Sequence, residues 1–392
     1  MKRLIGAFVV LLLVMPPTYS TVSANKSKEE STSTDLVPGA SSAVVIEQDT
    51  GNILYEKNSN QALPPASMTK IMTMLLIMDQ IESGKLTLEE KVRASEYAAS
   101  MGGSQIFLEV GEEMTVDELL RGIAIASGND ASMAMAERIA GSEEAFVKMM
   151  NEKAQELGLK NTKFQNPTGL PAKDHYSSAY DMAIMGRELL KYPLITKYTG
   201  TYEGYLRENT DRKFWLVNTN KLVKFYPGVD GLKTGFTGEA KYCLTATAKK
   251  GNMRVISVVM GAQTSKERNA QVSKLLDFAF NTYETKQLYE KGQLVQKIKV
   301  SKGEKEELPL VAEYNVSLLL RKGEKGEHLT QEVKKKDSVR APVKKGDELG
   351  TLVVKNKNKV VSEIPLIASE DVQEASWWQI FKRTMGSFTR FN

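Results

Sequence analysis

Three short stretches of this chain hold residues whose types and spacing could do chemistry. In PPASMTKIMTMLLIM, residues 64–78, Lys70 follows Ser67 by three positions, so hydroxyl and amine share one helix face and can touch. As a purely structural device Ser67 would be an N-cap and Lys70 a side chain reaching back to water. A capping box, however, carries Glu or Gln at that place, and a cation there opposes the helix dipole by about 0.3–1 kcal/mol. Ile71, Met72, Met74, Leu75, Leu76, Ile77 and Met78 are apolar nearly all round, which marks a buried helix. Burial disfavours the ammonium and lowers its pKa, so Lys70 can act as the base for the Ser67 hydroxyl.

The second stretch is Ser127-Gly128-Asn129. It lies between a helix opened by Thr115 and Glu118 at capping-box spacing, running to about Ala126, and another starting at about Asp130. Two readings stand: Gly128 as a C-cap with Asn129 as an N-cap, or a tight turn that presents a hydroxyl and an amide into a cleft. The third is Lys233-Thr234-Gly235, on a strand ahead of a hairpin from about Ala240 to Gly261 with a Lys-Lys-Gly-Asn turn. It reads as one more glycine-rich hairpin, or as a cation, a hydroxyl and room for a peptide backbone alongside. The second reading suits an anionic, extended peptide end.

Other chemistries lack material. There are two histidines, His175 and His328, and the second sits in a Lys/Gly/Glu-rich stretch that reads as a surface turn. A zinc peptidase needs at least two histidines placed together, so no metal and no cofactor is expected. A Ser-His-Asp triad would have to rest on His175, in GLPAKDHYSSA. The single cysteine, Cys243 in YCLTATA, excludes an internal disulfide framework and reads as a buried strand residue.

The elements that must position these residues fill a chain of 392 residues, enough for two domains. Residues 1–24 read as a signal peptide: Lys2 and Arg3, an apolar run from Leu4 to Met15 too short to span a bilayer, then Val22-Ser23-Ala24. The expected workplace is therefore outside the cytoplasm. Removing that segment takes the formal charge from +5 to +3, too mild an excess to argue for nucleic acid. Residues 25–37 are polar and read as a disordered lead-in. Residues 38–284 carry the three stretches. From about 285 to 368 short alternating runs separated by Lys-Gly turns read as a small all-β domain without a catalytic cluster. In the tail, residues 369–392, Trp377, Trp378, Ile380, Phe381, Met385, Phe388 and Phe391 fall on one side of a helix, with Gln379, Lys382, Arg383, Gly386 and Arg390 on the other. That helix could face a core; its paired tryptophans and opposing cations favour the membrane interface.

Ser67-x-x-Lys70, Ser127-Gly128-Asn129 and Lys233-Thr234-Gly235, in that order, resemble the three motifs of the penicillin-binding serine enzymes. Over nearly its whole length the chain looks most like the low-molecular-mass D-alanyl-D-alanine carboxypeptidases, and among them the sporulation-type enzymes of Gram-positive spore formers. The resemblance implies an α/β (α+β) catalytic domain like that of the serine β-lactamases, with an antiparallel sheet and a helical subdomain. It implies that Ser67 attacks the bond between the two terminal D-alanines of peptidoglycan pentapeptides while Lys70 takes its proton. Ser127 and Asn129 would relay the proton and hold the substrate amide. Lys233 and Thr234 would grip the terminal carboxylate, and backbone amides of Ser67 and Phe236 would form the oxyanion hole. Arg268 matches an arginine that helps place the carboxylate; from the residues alone a surface ion pair is equally open. β-Lactams would acylate Ser67. Since NTKFQNPTGLPAKDHYSSAYDMA holds no glutamate to deliver water, the penicilloyl ester is expected to persist. A D,D-endopeptidase, a β-lactamase and an inactive wall-binding protein are the alternatives.

Overall fold

The computed structural model describes residues 35–324, 329–356 and 359–388. Contacts divide the chain into Met1–Asp35, of which only Asp35 is described, and a unit from Leu36 onward. The expected signal peptide, most of the lead-in, His328 and Phe391 lie outside the described residues.

A hairpin of β1 (Ser42–Glu47) and β2 (Ile53–Lys57) leads through a 3-10 turn, Ala66–Thr69, into α1 (Lys70–Glu82). A helical region follows: β3 (Lys91–Arg93), α2 (Glu96–Ala99), β4 (Glu113–Thr115), α3 (Val116–Arg121), α4 (Asn129–Ala140), α5 (Glu143–Glu156), α6 (Ala179–Leu189) and α7 (Ile195–Thr199). The hairpin β5 (Glu203–Leu206) and β6 (Phe214–Val217) and the short α8 (Leu222–Phe225) return the chain to the sheet. There β7 (Val229–Thr237), β8 (Lys241–Lys250) and β9 (Met253–Ala262) precede α9 (Ser265–Thr282).

The five central strands run antiparallel in the order β2-β1-β9-β8-β7, so β7 is an edge. Both faces are covered, which is why β1 is apolar without interruption from Ala43 to Ile46. Val44 and Ile46 enter one core with α1, α4 and α6, while Ala43 and Val45 enter another with Leu275 and Leu276 of α9. Val37 is fully buried in this second core and its carbonyl accepts a bond from Lys57 Nζ. Leu36 and Val37 are therefore packed although they lie in the stretch expected to be disordered, because they are the apolar end of that polar segment.

The second domain is all-β, as expected. It comprises β10 (Tyr283–Tyr289), β11 (Leu294–Ser301), β12 (Glu307–Ala312), β13 (Val316–Arg321), β14 (Leu329–Lys335), β15 (Ser338–Arg340), β16 (Glu348–Asn356) and β17 (Lys359–Ala368). Its core extends past the expected end at residue 368: Val372 is fully buried and bridges to Val343. The tail helix is α10 (Trp377–Phe388). Among the described residues no helix is long and apolar enough to cross a membrane, and no group of His, Cys, Asp and Glu could hold a metal ion.

Candidate active site

Ser67 sits inside the 3-10 turn and caps no helix, so the N-cap reading is set aside. Lys70 is the first residue of α1, and its side chain is wholly enclosed. Its Nζ lies 3.1 Å from Ser67 Oγ, 2.6 Å from Asn129 Oδ1 and 2.7 Å from the carbonyl oxygen of Thr168. Two of these three partners can only accept. A neutral amine has two hydrogens and one lone pair, so it donates to Asn129 and Thr168 and turns the lone pair to the one partner able to donate, the Ser67 hydroxyl. Burial pushes the Lys70 pKa well below its usual value, and the nearby Lys233 cation pushes the same way, against Asp130.

The wall behind Lys70 is the loop 166–170. Asn166 Oδ1 accepts from the backbone N–H groups of Thr168 and Gly169 and from the Thr168 hydroxyl, and Thr73 of α1 donates to the Pro167 carbonyl at 2.7 Å. Gly169 has φ +82°, and a Cβ on it would stand 1.9 Å from the Ala66 carbonyl oxygen, so only glycine lets this loop lie against the nucleophile's turn. His175 closes the loop: its Nδ1 accepts from Gln165 N–H at 3.2 Å and its Nε2 lies 2.8 Å from Thr69 Oγ1. With Nδ1 accepting, the neutral ring carries its proton on Nε2 and donates to Thr69. His175 is therefore committed to Thr69 and is not the base of a triad with Ser67.

Between α3 and α4, a π-type turn at Gly122–Ala126 ends on Ser127 in the left-handed region, φ 65°. The glycine expected at that position stands next to it instead: Gly128 has φ −55°, and a Cβ there would crowd Asp130 Oδ1 at 3.0 Å. A non-glycine residue held left-handed costs of order 1–3 kcal/mol, a cost found mostly at functional sites. Ser127 Oγ is buried without a hydrogen-bond partner among the described residues. Asn129 is the first residue of α4 and not its cap; its Nδ2 donates to Gly102 O at 2.6 Å, which turns Oδ1 to Lys70. Asp130 beneath accepts from the N–H groups of Ile106, Leu108 and Ala131 and so fixes the floor of this turn.

The edge strand β7 forms the third side. A Cβ on Gly235 would lie 2.6 Å from the Pro65 carbonyl, so the glycine allows β7 to pass beside the nucleophile's turn. Lys233 is 1% exposed and donates to the Thr234 carbonyl at 3.0 Å, while the Thr234 hydroxyl donates to Thr219 Oγ1 at 2.7 Å. Arg268, on α9, is 5% exposed and bonds Asn269 Oδ1; it is not in a surface ion pair. Burial, and after it the Arg268 cation, pushes the Lys233 pKa down to about 7. Two buried basic side chains without a carboxylate partner among the described residues leave positive charge that an anion would relieve. Phe236 projects outward, 55% exposed, with its ring 4.4 Å from that of Tyr242. Cys243 is buried on β8 and its thiol is pushed up to about 11 by burial, as an inert strand residue should be.

The structure thus brings Lys70 into direct contact with both Ser67 and Asn129, with Ser127 in the turn beside Asn129 and Gly235 against the nucleophile's turn. Asn166, Thr168, Gly169 and the Thr69–His175 pair were not singled out from the sequence. The Asn-Pro and Thr-Gly dipeptides in NPTGL mark a turn, but nothing in a sequence tells which backbone carbonyl will face a buried lysine.

An antiparallel sheet covered on both faces, with a serine and a buried lysine where the helical region meets its edge strand, is the architecture of the penicillin-binding serine peptidases. The chain belongs to the D-alanyl-D-alanine carboxypeptidase family, whose description it matches over residues 28–264. Residues 283–374 match the C-terminal domain of penicillin-binding protein 5, and that match reaches past Val372. The chain is 61% identical over 391 residues to the D-alanyl-D-alanine carboxypeptidase DacF of Bacillus subtilis, covering 100% of both chains. Among solved structures, penicillin-binding protein 5 from Haemophilus influenzae superposes with a TM-score of 0.67 at 34% identity, over 86% of this chain and 98% of that one. Penicillin-binding protein D2 from Listeria monocytogenes, in its ampicillin-bound form, superposes with a TM-score of 0.56 at 31% identity, over 62% of this chain and 98% of that one.

Proposed function

We propose that this D-alanyl-D-alanine carboxypeptidase trims the terminal D-alanine from peptidoglycan pentapeptides through an ester on Ser67, with Lys70 as the base. The observation that carries the residue roles is the set of three partners around Lys70 Nζ, of which only Ser67 Oγ can give a proton to a neutral amine. Ser67 Oγ adds to the carbonyl between the two D-alanines, and its proton passes to Lys70. Collapse of the tetrahedral intermediate expels the terminal D-alanine, whose amine nitrogen takes a proton. Ser127 suits that relay, since its buried hydroxyl has no other partner. The leaving residue's carboxylate is drawn to Lys233, Thr234 and Arg268, and water then cleaves the ester. The exposed edge of β7 offers backbone groups to an extended peptide, with the amides of Phe236 and Ser67 serving the oxyanion.

The inactive-protein alternative predicts no covalent capture. In the test, wild type labels with a fluorescent penicillin and releases D-alanine from a pentapeptide, whereas Ser67→Ala does neither; D-alanine release by Ser67→Ala would refute the assignment. The ampicillin-bound form of the Listeria relative supports β-lactam capture by this chain.

The enzyme's place is the outer face of the cell membrane, after removal of residues 1–24, with α10 lying in the interface. Trp377, Trp378 and Phe381 stack on one another at 5.4–6.1 Å between ring centres and stay exposed, while Arg383 turns to the β domain and donates to the Gly303 carbonyl at 2.7 Å. An amphipathic helix whose aromatic side is left bare suits a lipid surface. The spore-wall setting rests on similarity to sporulation-type enzymes; raised pentapeptide in the spore wall of a strain lacking the enzyme would support it, and an unchanged spore wall would count against it.

A further inference from the structure

The hairpin β5–β6 carries an aromatic pair that the catalytic cleft does not use. Tyr205 stands directly opposite Trp215 across the two strands, so both side chains leave the same face. The neighbouring pairs turn the other way: Leu206 and Leu216 are buried and hold the hairpin to the helical region. On the outer face Trp215 is 56% exposed and Tyr205 38%. The Lys213 ammonium lies 4.0 Å from the centre of the Tyr205 ring and fixes it in place. Among the described residues no ring packs on Trp215, and neither its indole N–H nor the Lys213 ammonium has a hydrogen-bond partner.

This face is rigidly mounted beside the cleft. Arg121 donates to the Tyr205 carbonyl at 2.9 Å, and Arg207, just past β5, donates to Glu112 at 2.6 Å and to the Ile106 carbonyl at 3.0 Å. Beyond β6, Asn218 donates to the Thr199 and Thr201 carbonyls. Thr219 then meets both walls of the cleft: its N–H bonds the Ile125 carbonyl ahead of Ser127, and its hydroxyl accepts from Thr234. Thr219 follows Trp215 by four positions, so the two are at most about 14 Å apart. A fully extended pentapeptide spans roughly 17 Å. The aromatic pair therefore stands within one stem length of Thr234, inside the radius in which the polymer bearing that stem must lie.

We propose that Tyr205, Trp215 and Lys213 form a saccharide platform that holds the glycan of peptidoglycan while the cleft works on its peptides. The proposal rests on the substrate reading given above and adds to it a second contact with the same polymer. A pyranose ring presents a face of slightly positive C–H groups to the electron-rich face of an indole or phenol ring. Its hydroxyl and acetamido oxygens accept from the Lys213 ammonium and the Trp215 N–H. Glu203 stands on the same face, two positions before Tyr205. A lipid or an apolar partner helix laid on this face would take the ammonium and this carboxylate out of water without replacing their hydrogen bonds, whereas a sugar replaces them.

The test uses glycan stripped of its stem peptides, so that the cleft plays no part. Wild type treated with penicillin should co-sediment with this glycan, and Trp215→Ala and Tyr205→Ala should each weaken the binding about tenfold. In a full chain carrying Trp377→Phe and Trp378→Phe, Trp215 is the one tryptophan left, and a soluble oligosaccharide of N-acetylglucosamine should shift its fluorescence saturably. Trp215→Ala should release D-alanine from a soluble pentapeptide at the wild-type rate and from intact peptidoglycan about tenfold more slowly, with an unchanged melting temperature. Trp215→Phe should recover most of that loss. Stem-free glycan that wild type does not bind, binding that survives Trp215→Ala, or equal slowing on soluble and polymeric substrates would overturn the assignment. Loss of self-association or of vesicle binding in Trp215→Ala, with glycan binding kept, would give the face to a second copy of the chain or to lipid instead. D-alanine release by Ser67→Ala, or none by wild type from the soluble pentapeptide, would overturn the reading of the catalytic site and leave the glycan measurement standing, so the two failures are separable.

Discussion

Lys70 Nζ faces the carbonyl oxygen of Thr168 at 2.7 Å, so the wall from which a β-lactamase would deliver water offers a backbone acceptor and not a carboxylate. Asp130, the acid felt by Lys70, has its oxygens committed to the N–H groups of Ile106, Leu108 and Ala131. In a penicilloyl ester the expelled ring nitrogen stays tethered in the cleft, and among the described residues the only base in contact with Ser67 is Lys70. Intact-mass spectrometry should therefore show an adduct of one penicillin that persists for many turnover times of the peptide substrate. Prompt return to the free mass would show that another group delivers water.

Two lysines with lowered pKa values set the pH profile. Lys70 must be neutral to take the Ser67 proton, so kcat/KM rises with pH through its depressed pKa. Lys233 attracts the substrate carboxylate only while protonated, and in the free enzyme its pKa is about 7. Above that pH, binding must take up a proton, so the alkaline limb of kcat/KM begins near 7 and appears as a rise in KM. Lys233→Arg keeps its charge over the whole range; absolute activity falls, but the limb should move to higher pH. An alkaline limb unmoved in Lys233→Arg would assign that proton elsewhere.

His175 gives the fold an acid sensitivity. Burial alone pushes its pKa down to about 4, from 6.5 for a free histidine. Between these values the unfolded chain binds the extra proton and the native ring does not. The stability is therefore fully present above 6.5 and is lost as pH falls toward 4, by about 3 kcal/mol over the window. Protonation would also turn Nδ1 into a donor facing the Gln165 N–H. Melting temperature should fall between pH 6.5 and 4, and His175→Gln should remove that part of the slope even if it starts from a lower value. An identical slope in the variant would place the sensitivity in other groups.

How far the sequence discloses this site depends on what kind of group acts. Lys70 beside Ser67 shows through because a lysine opening an apolar helix is conspicuous, Asn129 and Lys233 show through only in the order of the three motifs, and β8 and β9 show through their β-branched alternation. The Thr168 carbonyl does not, because every residue has one and only the fold selects it. At Ser127 the expectation that glycine takes the left-handed position follows propensity, and the packing of Ile106 and Asp130 against Gly128 overrides it. Arg268 could not be distinguished from a surface ion pair, because its burial is decided by contacts between α9 and the strands. The pair Leu36-Val37 and the lone Val372 are short apolar interruptions of polar segments, too little for a periodic signal, yet Val37 and Val372 each complete a core.

The burial of Val372 decides how the membrane role of the tail should be tested. Val372 is buried in the β domain, and Ala375 N–H still bonds the Lys302 carbonyl at 2.8 Å, so a chain ending at Ala368 loses core as well as tail. Removing a buried valine alone costs about 1.5–3 kcal/mol, which would confuse loss of folding with loss of anchoring. A chain ending at Ala375 keeps both contacts and removes Trp377, Trp378, Ile380 and Phe381, which are 37–73% exposed. It should melt within a degree or two of the full chain, release D-alanine at the same rate from a soluble pentapeptide, and bind anionic lipid vesicles at least tenfold more weakly. The Ala368 truncation should melt lower. If the chain ending at Ala375 still sediments with vesicles as the full chain does, α10 is not the anchor, and its aromatic side must be covered by something other than lipid.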